Sequence, residues 1–184
     1  MKKMIILMFL AVSTNINAQS IYLGLKYGMN KKDAKAEFKA NNEQYTNVDL
    51  GNGFAWRAFQ QNFIFDEKGL TGILFSPKGG ALGLSHDNTV SYLEFTRTFF
   101  EKKGYTLFFE PDYWQYPENF NSKYGLLLVN PDKTIVVQIY PVKSVAGGIL
   151  TYSAYLKVLN YTWFMSEFEK ENDKVEQKQQ NTGF

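Results

Sequence analysis

Apolar and polar positions change period along this chain, and the changes divide it. Met29, Ala34 and Phe38 fall at helical spacing, and Asn30 stands where a helix cap belongs, with Asp33 three residues on. A carboxylate there meets the free N–H groups and the positive end of the helix dipole, so a helix is predicted from Lys31 to Ala40. The pattern then turns extended. Phe54, Trp56 and Ala58 share one face of a run, Phe63 and Phe65 follow, and Leu70, Ile73 and Phe75 come after Gly69. Three such runs separated by turn residues predict an antiparallel meander, with Ile21 to Leu25 as a first strand ahead of the helix.

A second copy of this grammar follows. Gly83-Leu84-Ser85 echoes Gly28-Met29-Asn30 and predicts a helix from Asp87 to Lys103, carrying Val90, Leu93, Phe99 and Phe100 and ended by Gly104. Strands are predicted at Tyr105 to Glu110, Tyr124 to Val129, Thr134 to Val142 and Ile149 to Tyr161. The stretch Asn62 to Pro77 and the stretch Leu126 to Pro141 both run strand, polar turn, strand, proline. The offset between copies is 55 residues at the caps and 64 at the hairpins, so the second copy carries an insertion, placed at Pro111 to Ser122.

The predicted fold is α+β: two tandem helix-then-antiparallel-meander repeats, 19–78 and 79–161, with the helices packed on one face of the sheet. Residues 162–184 are expected to form a C-terminal helix that begins with Trp163, Phe164 and Phe168. Its apolar face then gives out, and a disordered tail of charge and amide follows.

The chain's start changes the charge argument. Lys2 and Lys3, an apolar run from Met4 to Val12, and Ala18 before Gln19 have the layout of a secretory signal peptide, residues 1–18. Ser13, Thr14, Asn15 and Asn17 cut the apolar run below the roughly 20 residues a membrane span needs. The chain has 20 basic and 18 acidic side chains; removal of the leader with its two lysines balances them. A neutral chain has no general attraction for phosphate backbones, which argues against nucleic acid as a partner. With no cysteine, disulfides, thiol nucleophiles, thiolate metal sites and an acylated lipoprotein cysteine are all excluded. The short basic start points to a bacterium and to a protein exported to the periplasm or secreted.

Catalytic material is thin. His86 is the single histidine and opens a predicted helix, where the dipole disfavours its charged form. A metal site of His86 and Asp87 with a distant carboxylate has one nitrogen ligand and no characteristic spacing. Gly79-Gly80 and Gly147-Gly148 lack the context of a phosphate loop. No catalytic, metal or cofactor site is assigned. The inserted loop is different: Glu110, Asp112, Tyr113, Trp114, Tyr116 and Phe120 combine acids with amphipathic aromatics that suit an interface anchor. Paired carboxylates there, Glu118 included, also admit a glycoside hydrolase, and a packed hairpin loop is the plain structural alternative.

Gly28-Met29-Asn30, Phe63-Ile64-Phe65-Asp66 and Gly69-Leu70, with a looser copy at Gly83-Leu84-Ser85 and Leu127 to Ile139, resemble two groups. These are the small exported α/β modules of the outer-membrane assembly lipoprotein class and the tandem-repeat β-lactamase inhibitor proteins. The chain departs from the first in having no lipobox cysteine and from the second in having no disulfide cysteines. Such families bind proteins through a concave sheet or its loops, so the resemblance implies a binding module and transfers no catalytic residue. The expected function is non-enzymatic recognition of a protein or peptide in the cell envelope. The alternative is a small-ligand or glycan-binding protein with an aromatic-lined pocket or loop.

Overall fold

Asn30 and Ser85 cap their helices as their positions require. Asn30 Oδ1 accepts the Asp33 N–H at 2.9 Å and starts α1 (Lys31–Ala40). Ser85 Oγ accepts the Asn88 N–H at 3.2 Å and starts α3 (His86–Lys102), which Gly104 follows with φ of 85°. The computed structural model describes residues 19–79, 84–120, 122–146 and 148–181, so the expected signal peptide lies outside the described residues. Two elements depart from the expected outline. Ile21 to Leu25 is not one strand but a hairpin of β1 (Ser20–Tyr22) and β2 (Leu25–Lys26), turned at Leu23 with φ of 51°. A short helix α2 (Asn42–Thr46) follows α1 and buries Tyr45.

The remaining strands form one antiparallel sheet. They are β3 (Val48–Asp49), β4 (Ala55–Arg57), β5 (Phe63–Asp66), β6 (Gly69–Pro77), β7 (Thr106–Phe109), β8 (Leu126–Val129), β9 (Ile135–Ala146) and β10 (Ile149–Asn160). Their order is β3-β4-β6-β10-β9-β8-β7, with β5 on the same side of β6 as β4. The centre is therefore β10, the last strand in sequence, flanked by β6 and β9.

Alternation along β10 sorts the core into two layers. Ala154, Leu156 and Val158 join Ile135, Val137 and Ile139 of β9, Ile73 and Phe75 of β6, and the α1 and α3 residues Ala34, Phe38 and Leu93. Both early helices thus pack on one face, as expected. On the opposite face Leu159, Val136, Leu127 and Val129 meet Phe164 of a fourth helix, α4 (Tyr161–Asn181). This second cover explains why β8 reads Leu-Leu-Leu-Val without a polar position: every residue in it is buried. The expected tail is helical through Asn181, consistent with its Glu, Lys and Gln content.

The motifs quoted for the resemblance meet in space. Gly28 N–H donates to the Leu70 carbonyl and Leu70 N–H to the Met29 carbonyl, both at 2.9 Å, which ties the lead-in of α1 to the start of β6. Gly69 permits this approach: its φ is 121°, and a Cβ there would overlap the Gly28 carbonyl. The two hairpins differ in turn and in facing: Asp66 pairs with Gly69 across a two-residue turn, whereas Val129 pairs with Val136 and residues 130–135 lie between them. At the offset of 64, Phe63 answers to Leu127, yet Phe63 packs in the α1/α3 layer and Leu127 against α4. A bulge between Ile64 and Phe65 shifts β5 relative to β6 and accounts for the change of face.

The strands β9 and β10 pair from Ile135↔Asn160 to Ala146↔Ile149, whereas β8 covers only Val136 to Ile139 and β6 only Leu156 to Leu159. The far half of the pair projects as a ribbon, bridged to the rest at Leu84↔Tyr152. The chain leaves β7 and enters β8 at that same end of the sheet.

Candidate functional site

Residues 110–120 fold as a strap along α3. At one end Arg97 Nη1 donates to Glu110 Oε1 at 2.6 Å, and its Nη2 reaches Glu110 Oε2 at 3.4 Å. The Trp114 indole N–H donates to Glu110 Oε1 at 3.1 Å. At the other end His86 Nε2 lies 2.7 Å from Glu118 Oε1, while its Nδ1 faces Asp87 Oδ1 at 3.1 Å. Between these anchors the strap is a chain of turns, with Tyr116 N–H donating to the Tyr113 carbonyl and Phe120 N–H to that of Tyr116.

The six candidate residues divide accordingly. Trp114, expected as a contact residue, is 1% exposed and belongs to the core; its aromatic surface packs the strap down and is closed to a partner. Phe120 is half-buried against the same core. Glu110 serves Arg97 and Trp114. Tyr116 is half-buried, with its ring 6.1 Å from that of His86. Only Asp112 and Tyr113 face outward without such a role, and Tyr113 is 66% exposed. Tyr113 also holds φ of 54°, a left-handed backbone that a non-glycine residue occupies at a cost and that clusters at functional loops.

Other exposed apolar side chains lie on the sheet. Leu107 and Phe108 stand on the edge strand β7, where Phe108 meets Phe168 on the α4 face, and Val145, Ile149 and Leu150 stand on the projecting ribbon. With Tyr113 they make six of the eight large apolar side chains exposed among the described residues, so exposure concentrates on β7, the strap and the ribbon. Composition alone hides this concentration. The signal was an apolar residue at every position near a glycine turn, Val145-Ala146 and Ile149-Leu150, where a sheet strand would alternate.

His86 opens α3, and both of its ring nitrogens are engaged by carboxylates. Its pKa is raised, chiefly by the Asp87 hydrogen bond and then by that to Glu118, against a lowering by desolvation. Glu118 is held below the usual carboxylate range by a hydrogen bond from its own backbone N–H and by His86. The rings of Tyr116 and Tyr152 flank the imidazole. Asp87 and Glu118 lie on opposite ring nitrogens, so they clamp the imidazole instead of converging on a common cation. Of the carboxylates that admit a glycoside hydrolase, Glu118 and Glu110 are tied to His86 and Arg97, eleven residues apart on α3, and Asp112 is exposed.

Comparison of the chain with protein-family models, with curated proteins and with solved structures gives no match. Among the described residues no helix is long and apolar enough to cross a membrane.

Proposed function

We propose that the chain is a non-enzymatic binding module, exported to the bacterial cell envelope, that recognises a protein or peptide through the strap and the strand edges beside it. The observation that carries this reading is the exposure of Tyr113. A large amphipathic ring stands at the tip of a strap whose neighbours Trp114 and Glu110 are fixed in the fold. Anchoring of this kind lowers the ordering cost that a partner contact must overcome. An exposed tyrosine beside apolar edge residues has the composition of an interface centre. The β7 edge leaves backbone N–H and C=O groups on one side unpaired by sheet, which suits an added extended segment. The export reading rests on Lys2, Lys3, the apolar run and Ala18.

The test is site-specific photocrosslinking in an envelope fraction, with the crosslinker at Tyr113, at Ile149 and, as a control, at Lys39 on the exposed last turn of α1. A discrete adduct from the first two positions and none from Lys39 is expected. The purified partner should then lose at least tenfold in affinity on Tyr113→Ala, about 1.4 kcal/mol. Equal crosslinking from all three positions, or unchanged affinity, overturns the reading.

A further inference from the structure

A second site lies at the far end of α3 from His86. Beneath Phe99 and Phe100 opens a cleft of about 310 Å³ between that helix, the β1 hairpin and the α1/α3 face of the sheet. Its floor is Phe75, Leu156 and Val158, all buried, and its walls include Val48, Leu50 and the two tyrosines Tyr22 and Tyr105. The size is at the lower end of small-molecule pockets, about ten waters by volume. A wholly apolar cleft would be a packing gap. Here two phenols break the pattern: neither the Tyr22 nor the Tyr105 hydroxyl hydrogen-bonds any described residue, and burial raises the pKa of both. Both rings are half-buried and their hydroxyls keep contact with solvent at the cleft, where the polar group of a ligand can take the place of water.

The lining also selects against charge. It contains no basic side chain, and Asp49, its one acid, accepts the Gly51 N–H at 2.7 Å across its own turn. The Lys103 ammonium lies over the Phe99 ring, 5.7 Å from its centroid, and is not part of the lining, so an anionic head inside the cleft would have no direct partner, and burying an unpaired ion is far costlier than burying a hydroxyl.

We propose that this cleft binds a small neutral apolar molecule bearing one hydroxyl or carbonyl group, which Tyr22 and Tyr105 hydrogen-bond. The cleft shares no residue with the strap, so the proposal stands independently of the recognition surface.

The probes are 1-octanol and 2-naphthol, with octanoate and octylammonium as charged counterparts of similar bulk. The readouts are the thermal midpoint of the full chain and the methyl NMR shifts of Val48, Leu50, Leu156 and Val158. Both neutral probes should raise Tm saturably and move those four methyls. The charged probes should bind at least tenfold more weakly. Tyr22→Phe with Tyr105→Phe should weaken octanol several-fold while leaving naphthalene unchanged, a split that a general loss of packing would not produce. Val48→Phe should fill the cleft and abolish all binding; if that variant does not fold, Leu50→Phe replaces it. Absence of saturable binding, equal binding of octanoate, or shifts confined to Val145, Ile149 and Leu150 would overturn the assignment.

Discussion

Trp114 donates its indole N–H to Glu110 at 3.1 Å, and the same carboxylate oxygen takes an N–H of Arg97 at 2.6 Å. One acid thereby joins a loop tryptophan to the middle of α3. The ring of Trp114 goes into the core, while the next residue back, Tyr113, goes out to solvent. Burial of one aromatic is what holds its neighbour in place.

Trp114→Ala should therefore be severe and Tyr113→Ala mild. Removing a fully buried tryptophan costs roughly 3–5 kcal/mol, and for a chain of this size each kcal/mol lowers Tm by about 2–4 °C. A drop near 10 °C is expected for Trp114→Ala. Tyr113→Ala is a surface change and should stay within about 0.5 kcal/mol. Thermal unfolding of both variants checks the pair; equal losses would mean that Tyr113 is also structural.

The other end of the strap should respond to pH. His86 has its pKa raised above 6.5 in the folded chain, so its contribution is fully present below that value and is lost as pH rises through the folded pKa. Glu118 has its pKa lowered below 4.5, so its contribution is present above that value and is lost as pH falls through its folded pKa. The clamp is then strongest under mildly acidic conditions. NMR titration of His86 should give a pKa above 6.5 that falls back in Asp87→Asn and in Glu118→Gln. Hydrogen exchange at residues 116–120, corrected for intrinsic rates, should quicken as pH rises through the His86 pKa, and His86→Ala should flatten that response.

Both helices on the shared face were legible from caps and spacing, because capping is settled within four residues: Asn30 with Asp33, Ser85 with Asn88. Strands were legible from their apolar runs. What local pattern could not supply was partnership over distance. Glu118 meets His86 across 32 residues and Glu110 meets Arg97 across 13, and nothing in either stretch marks the contact. Trp114 carried the same difficulty in another form: a tryptophan among tyrosines in a proline-flanked loop reads as surface until its burial is known. The resemblance between the hairpins was real in composition, but the bulge at Ile64 altered which side faced the core. The expectation of helices on one face left out the second covering layer that α4 supplies over the wholly apolar β8.

Gly69 gives a backbone test. Its φ of 121° lies where a side chain is strained, and an added Cβ would overlap the Gly28 carbonyl, which is backbone and cannot swing aside. Gly69→Ala should cost about 1–3 kcal/mol from the strained backbone alone, with further loss if the Gly28 and Leu70 pairing opens. Gly79→Ala is the control, since its positive φ meets open space and tests conformation without collision. Chemical denaturation of the two variants should show Gly69→Ala as clearly the worse; equal costs would remove the close-approach argument.

The last test concerns α4, which covers the sheet with its first two turns. Phe164 is 4% exposed, and Trp163, Met165 and Phe168 pack around the same cluster with Leu127, Val136 and Leu159. Beyond Glu171, which pairs with Lys123, the only sizeable apolar residues are Val175 and Phe184. So little apolar area cannot offset the roughly 1–2 kcal/mol per residue lost on ordering a backbone, and the last turns draw what order they have from helix propensity. Deleting Asn172 to Phe184 should leave Tm within about 2 °C, an effect of under about 1 kcal/mol. Phe164→Ala should cost roughly 3–5 kcal/mol, because it opens a cavity against β8 and β10 and strips the cover that makes a fully apolar β8 tolerable. A large loss on deletion would mean that the distal turns dock on the fold, and α4 would then be a covering element along its whole length.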